Sequence, residues 1–127
     1  MAMIDKVMDE LLKQGFMPKH ENFGIAFKYQ MTNYLYVQDK KDEDYFSLYV
    51  PYIFNVNSEN MAEVLSTINA INNAMKVIKL VVTNDNIVWA CFEEKLPKDA
   101  NLEDIIPFAV HSLFHACRQF NEQLNKA

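Results

Sequence analysis

The sequence predicts an α+β fold, in which a single domain spanning residues 1–127 has the element order α-β-β-β-α-β-β-α. Two observations predict this class. Apolar residues recur at helical spacing at the start, in the middle and at the end of the chain, whereas apolar and polar residues alternate in the stretches between. Because strands joined by short turns pair antiparallel, we expect a five-stranded antiparallel sheet with the helices packed mainly on one face.

The first half of the chain is predicted to contain one helix and three strands. The opening helix ends near Gly15, and residues 16–22 form a connection in which Pro18 blocks further helix. Residues 23–29 and 34–38 alternate as the two strands of a hairpin, and a charged turn leads to a longer strand that begins at Asp44 and ends at Phe54. Pro51 cannot donate a ladder hydrogen bond, so this strand lies at an edge or is bulged near its end.

The second half is predicted to contain a helix, a hairpin and a final helix. The apolar stripe of the middle helix consists of Met61, Leu65, Ile68, Ile71 and Met75. The hairpin turns at residues 83–86, and both faces of its second strand are apolar, which leaves the side that Trp89 occupies open. The final helix follows a loop and is capped by Asn101 together with Asp104.

Composition and charge argue against several classes of function. The 127 residues carry a formal net charge of −5, and half of them are hydrophobic. An acidic surface without a cluster of lysine or arginine lacks the electrostatic footprint of a nucleic-acid-binding protein. The apolar runs are too short for a membrane span, and the first residues contain acids instead of an apolar signal core. We therefore expect a cytoplasmic protein whose partner is neither nucleic acid nor membrane.

The pair His111 and His115 has the i, i+4 spacing of many helical metal sites. At about 100° per residue, the two histidines share one stripe of the final helix with Asp104, Arg118 and Glu122. An apolar stripe lies on another side of this helix and consists of Ile106, Val110, Leu113, Cys117, Phe120 and Leu124. The cysteine therefore cannot join the histidines, and a zinc site needs a third ligand from elsewhere. We expect the histidines to face solvent, with no metal and no other cofactor.

Catalytic residues are not indicated either. The acidic turn at residues 39–44 lacks the central glycine and the distal glutamate of an EF-hand loop. The sequence has no nucleophile elbow, and Cys91 and Cys117 lie in apolar surroundings that do not favour a reactive thiolate. We therefore predict that the protein is not an enzyme.

The stretch from residue 23 to residue 54 contains ten of the sixteen aromatic residues. If the aliphatic residues of these strands face the helices, the opposite face displays Tyr34, Tyr36, Tyr45 and Tyr49. Tyrosine is enriched at protein interfaces because its ring is apolar while its hydroxyl group can stay hydrated. These four tyrosines are the candidate partner-binding residues, and a face that is simply solvated or covered by dimerisation is the alternative.

The order of these segments resembles the YbjN-like family, which is similar in fold to the type III secretion chaperones. The resemblance runs from the helix ending at Gly15 through the strands GIAFKY, YLYVQ and DYFSLYVPYIF, and continues through the helix VLSTINAINNAMK. It ends with the hairpin VIKLVVTNDNIVWACFEEKLP and the helix from Leu102 to Leu124. The resemblance implies a small cytoplasmic bacterial protein, often dimeric, that binds other proteins. It also implies that Asn69 and Asn72 bond backbone groups near the end of their helix.

Two hypotheses about function follow. The first is a non-enzymatic protein-interaction module, chaperone- or regulator-like, which acts as a homodimer and binds a partner protein through apolar helix and sheet surfaces. Recognition would use either strand addition at a sheet edge or an apolar segment laid over the surface. The second is a small-ligand or metal-binding protein with a pocket among the aromatic residues. A broad apolar groove favours the first, and a convergent pocket with several polar groups favours the second.

Overall fold

The computed structural model describes residues 2–125, which form three helices and one six-stranded sheet. The elements in chain order are α1 (Met3–Lys13), β1 (Lys19–Glu21), β2 (Gly24–Tyr29), β3 (Thr32–Val37), β4 (Tyr45–Asn55), α2 (Met61–Ala74), β5 (Ile78–Val82), β6 (Ile87–Lys95) and α3 (Leu102–Asn125). All neighbouring strands pair antiparallel in the order β1-β2-β3-β4-β6-β5. The predicted α+β class is confirmed, with one strand more than the five expected.

The additional strand is β1, which lies in the segment predicted to be a connection. All three of its residues are exposed, so it has no alternation of apolar and polar residues that a sequence pattern could reveal. A tight turn joins it to β2 at Gly24, whose φ of 151° is rarely adopted by residues with a side chain. A Cβ atom at Gly24 would overlap the carbonyl oxygen of Tyr36 in β3. Glycine therefore permits the close approach of β2 to β3 at this corner of the sheet.

The end of α1 at Gly15 is confirmed and has the geometry of a Schellman motif. Gly15 has a φ of 89°, its N–H donates to the carbonyl of Leu12, and the N–H of Phe16 donates to the carbonyl of Leu11. The chain reversal directs Phe16 back onto the sheet, where its ring centroid lies 5.1 Å from that of Phe27. The motif thus stabilises the helix end and adds an aromatic residue to the core.

The core lies between one face of the sheet and the three helices. The apolar stripe predicted for α3 is confirmed, because Ile106, Val110, Leu113 and Phe120 are buried and Cys117 and Leu124 pack against the core. The stripe predicted for α2 is confirmed at Met61, Ile68, Ile71 and Met75 but wrong at Leu65, which is 49% exposed; Val64, which the prediction did not include, is fully buried. No helix in the described range is long and apolar enough to cross a membrane.

Candidate functional site on the open face of the sheet

The face of the sheet that points away from the helices is uncovered. We call this whole outer surface of the sheet the open face. Strand alternation and register place several apolar or aromatic residues on it, among them Ala26, Leu35, Tyr49, Tyr52, Val81 and Trp89. Each of these residues is partly or largely exposed. A sheet with one face packed and one face free ordinarily has polar residues on the free side. The aromatic character of this free side makes it the candidate site.

Only two of the four predicted tyrosines face this way. In the pairing of β3 with β4, Tyr36 lies opposite Leu48 and Leu35 lies opposite Tyr49, and directly paired residues project to the same side. Tyr34 and Tyr36 are therefore inside, with 0% and 1% of their surface exposed. The prediction that they share an outer face with Tyr45 and Tyr49 is wrong. Tyr45 and Tyr49 do project outward, and their role in partner binding stays a prediction.

The physical reason for this error is that a tyrosine can be buried when its hydroxyl group has a partner. The Tyr34 hydroxyl donates a 2.9 Å hydrogen bond to the carbonyl of Val110 in α3, and its ring stacks on Phe27 at 5.1 Å. Burial raises the pKa of both buried tyrosines, that of Tyr36 to about 12. These side chains thus join the sheet to the helices and are not available to a partner.

Two aromatic rings surround Trp89 in the middle of the open face. The centroid of Trp89 lies 6.0 Å from that of Tyr49 and 5.7 Å from that of Tyr52. The register between β4 and β6 shifts between Val50 and Phe54, which confirms the bulge predicted at Pro51. Within this bulge Tyr52 has a φ of 54° and is 71% exposed. The bulge therefore turns an aromatic side chain outward at the rim of the face.

A polar group lies beside these rings. The Tyr49 hydroxyl donates a 2.8 Å hydrogen bond to Glu93 Oε2, and Lys79 Nζ lies 3.1 Å from Glu93 Oε1. Partial burial by itself raises the pKa of the Glu93 carboxyl, but the hydrogen bonds from Tyr49 and Lys79 and the charge of Lys79 outweigh it and lower the pKa. The pKa of Tyr49 is raised, first by burial and then by its bond to the carboxylate. Glu93 is thus ionised and neutralised by Lys79 at neutral pH.

A groove of about 890 Å³ adjoins the open face next to the bulge. Its walls include Met17, and it shares Ala26, Leu35 and Tyr52 with the open face. The described residues that line it include two lysines, Lys19 and Lys28, and no aspartate, glutamate or histidine. Within residues 2–125 neither lysine has a carboxylate at ion-pairing distance. The groove is therefore apolar with a positive rim, on a chain whose net charge is −5.

Both edges of the sheet are protected. At the β5 edge, Asn72 in α2 accepts a 2.8 Å hydrogen bond from the N–H of Leu80 and donates a 3.1 Å hydrogen bond to its carbonyl. This side chain satisfies the same two groups that a neighbouring strand would. At the other edge, β1 has only three residues and consists of Lys19, His20 and Glu21, and short charged strands discourage pairing with another chain. Strand addition is therefore disfavoured, and the open face is the better surface for a partner.

The family resemblance implies that Asn69 and Asn72 bond backbone groups near the end of their own helix, and the structure agrees with this only in part. Asn72 does bond backbone groups, but those groups belong to β5 and not to its own helix. The backbone carbonyl of Asn69 accepts a hydrogen bond from the side chain of Asn73.

The two histidines lie on the exposed side of α3, as expected. The ring centroid of His111 is 5.5 Å from that of Tyr29, and His115 is exposed. Residues 2–125 contain no group of three His, Cys, Asp or Glu side chains that could hold a metal ion. Burial raises the pKa of the Cys91 thiol to about 11 and that of Cys117 to about 12, so both remain protonated at neutral pH.

Sequence reasoning missed the most exposed part of the site. Tyr52, Trp89, Lys19 and Lys28 were not singled out as site residues, because the side on which they project depends on strand pairing. Pro51 was the available signal, since a proline in a long strand predicts a bulge and a bulge redirects its neighbours.

Comparison with known proteins supports the fold. No family model matches the chain. No curated protein matches it either. The solved structure of YbjN from E. coli, a candidate transcription regulator, has a TM-score of 0.70 and 12% identity, covering 96% of this chain and 93% of that one. An uncharacterised protein from Methanothermobacter thermautotrophicus has a TM-score of 0.67 and 14% identity, covering 96% of both chains. The protein therefore has the YbjN-like α+β fold that its sequence predicts.

Proposed function

We propose that this protein is a non-enzymatic protein-interaction module, chaperone- or regulator-like, which binds a segment of a partner protein on the open face of its sheet. The observation that carries the proposal is the aromatic patch of Tyr49, Tyr52 and Trp89 on a sheet face that no helix covers. Contiguous exposed aromatic surface is characteristic of protein interaction sites.

Three further features support binding over catalysis. The two free thiols have raised pKa values, the outward carboxylate Glu93 is neutralised by Lys79, and the histidines project into solvent. The similarity in fold to YbjN, itself a candidate regulator, agrees with a role of this kind. The broad apolar groove beside the open face is the feature expected of a surface that accepts a polypeptide.

Affinity capture from the native cell tests the proposal. We would compare the wild-type protein with Tyr52→Asn, which removes the exposed ring and suits the positive φ, and with Leu65→Gln, which removes an exposed apolar residue from α2 on the opposite side. We expect a co-purifying protein that Tyr52→Asn reduces and Leu65→Gln retains. Equal recovery by all three proteins would contradict the role of the open face.

A small amphipathic ligand is the second candidate, because a groove of about 890 Å³ lies in the size range of small-molecule sites. Native mass spectrometry of the purified protein distinguishes the two. A bound small molecule that Tyr52→Asn releases, without any protein partner, would favour this candidate.

The homodimer implied by the family resemblance is part of the proposal. Light scattering should then give twice the 14.8 kDa chain mass at micromolar concentration. The mass of a monomer at micromolar concentration would contradict the proposed dimer, while the open face would remain the proposed partner site.

A further inference from the structure

The open face carries a charge opposite to that of the rest of the molecule. Strand alternation and register place six charged side chains on the outer side of the sheet: Lys19, Lys28, Lys79, Lys95, Glu21 and Glu93. This is an excess of two positive charges on a chain of net charge −5, so the remainder carries −7. Lys79 is neutralised by Glu93, whereas Lys19 and Lys28 have no ion pair within residues 2–125 and line the same groove as Tyr52 of the aromatic patch.

The strand register arranges these features in a defined order. A single row of directly paired residues crosses all six strands: Lys19, Ala26, Leu35, Tyr49, Cys91 and Lys79. Strands lie about 4.8 Å apart, which puts Lys19 roughly 14 Å from Tyr49. Small and apolar side chains, Ala26 and Leu35, occupy the interval. From Lys19 to Tyr49 the row is thus first positive, then apolar and then aromatic, and at its other end the charge of Lys79 is paired with Glu93.

We propose, resting on the protein-interaction function above, that the partner segment is an extended acidic peptide with a large apolar anchor. Its carboxylates lie at Lys19 and Lys28, and its apolar side chain lies against Tyr49, Tyr52 and Trp89. An extended chain advances about 3.3 Å per residue, so about four residues separate the acidic and apolar positions. Complementary charge of this kind selects the orientation of the segment and accelerates its association.

An acidic peptide suits this surface better than a nucleic acid or a small anionic ligand. Affinity for a polyanion grows with the number of phosphates neutralised, and only two lysines are unpaired in the groove while the rest of the chain repels phosphate. A small ligand in the groove would contact Tyr52 but leave Tyr49 and Trp89 uncovered, since neither of these two lines the groove. The continuity of the groove with the open face through Ala26, Leu35 and Tyr52 favours an occupant long enough to contact both.

Selection of peptides from a random dodecamer library displayed on phage, using the immobilised full chain, tests the proposal. We expect the selected peptides to be enriched in Asp and Glu about four positions from a Phe, Leu, Trp or Tyr. Fluorescence polarisation with a synthetic copy of a selected peptide then gives affinities. Charge reversal of the groove by Lys19→Glu with Lys28→Glu should weaken binding about tenfold, and raising the salt concentration should weaken binding to the wild-type protein several-fold.

The matched control is Lys40→Glu with Lys41→Glu, which makes the same change in net charge in the loop before β4, at the far end of that strand from the groove. It should leave the affinity within about twofold, since exposed charges beyond a Debye length are largely screened. Thermal unfolding of each variant verifies that the fold is intact, and both lysine pairs are exposed.

The outcomes separate this inference from the function on which it rests. The charge inference is overturned if the selected peptides bind through Tyr52 but lack acidic residues. It is also overturned if their affinity is unchanged by Lys19→Glu with Lys28→Glu. Either result leaves the proposed interaction function intact. Failure to select any peptide whose binding Tyr52→Asn weakens counts against both. A labelled oligo-dT 15-mer that binds more tightly than the peptides, and that the groove reversal releases, would assign the face to single-stranded nucleic acid instead.

Discussion

Replacement of Asn72 by alanine should destabilise the protein although it improves the intrinsic helix propensity of α2. The change removes two hydrogen bonds to Leu80, of 2.8 Å and 3.1 Å, in a partly buried setting. Each bond contributes about 1 kcal/mol to the free energy of unfolding, and the higher helix propensity of alanine offsets about 0.6 kcal/mol of this loss. The net loss is about 1.5 kcal/mol. For a chain of 127 residues this corresponds to a Tm lower by about 6 °C.

Asn73→Ala is the matched control, because Asn73 is the next residue and bonds only the carbonyl of Asn69 in its own helix, in an exposed position. It gains the same helix propensity without affecting β5, so its stability should equal or slightly exceed that of the wild-type protein. Urea unfolding and calorimetry of both variants give the difference. Equal stability of the two variants would refute the argument that Asn72 bonds the sheet edge.

The Asn72→Ala substitution should also leave the β5 edge open to pairing with a strand of another molecule. Without Asn72, the N–H and carbonyl of Leu80 become available to a strand from another molecule. We expect Asn72→Ala, but not Asn73→Ala, to form concentration-dependent higher oligomers in light scattering. If both remain at the wild-type mass, the edge is protected by something other than this side chain.

Three other predictions concern the core and the polar group on the open face. Gly24→Ala should cost several kcal/mol and prevent folding at moderate temperature, because its Cβ atom would overlap the Tyr36 carbonyl oxygen; a Tm within a few degrees of wild type would contradict this. Tyr34→Phe should cost about 1 kcal/mol in urea unfolding by removing the buried bond to Val110, and an unchanged midpoint would show that this bond contributes nothing. The pKa of Glu93 is lowered in the folded protein, so its contribution to stability is present above the ordinary value of 4.5 and is lost as the pH falls through the lower folded value. Glu93→Gln should therefore show a smaller loss of stability on acidification than the wild-type protein, and identical pH profiles would contradict the assignment.

The periodicity of the sequence by itself determined the helices, five of the six strands and the inward stripe of α3. Each of these depends on local order: a 3.6-residue or two-residue repeat, a glycine at a helix end, or a proline that interrupts a strand. The same periodicity put His111 and His115 on the exposed side of α3, away from the apolar stripe.

Only the tertiary structure decided which face of β3 is buried, because alternation defines two faces and a shift of one residue exchanges them. The pairing of Tyr36 with Leu48, and the bond from Tyr34 to α3, turned two candidate binding residues into core residues. Pairing across the sheet likewise brought Lys19, from a segment with no pattern of its own, into one row with Tyr49. Contacts between residues distant in sequence create the open face and its groove, and no local repeat encodes them.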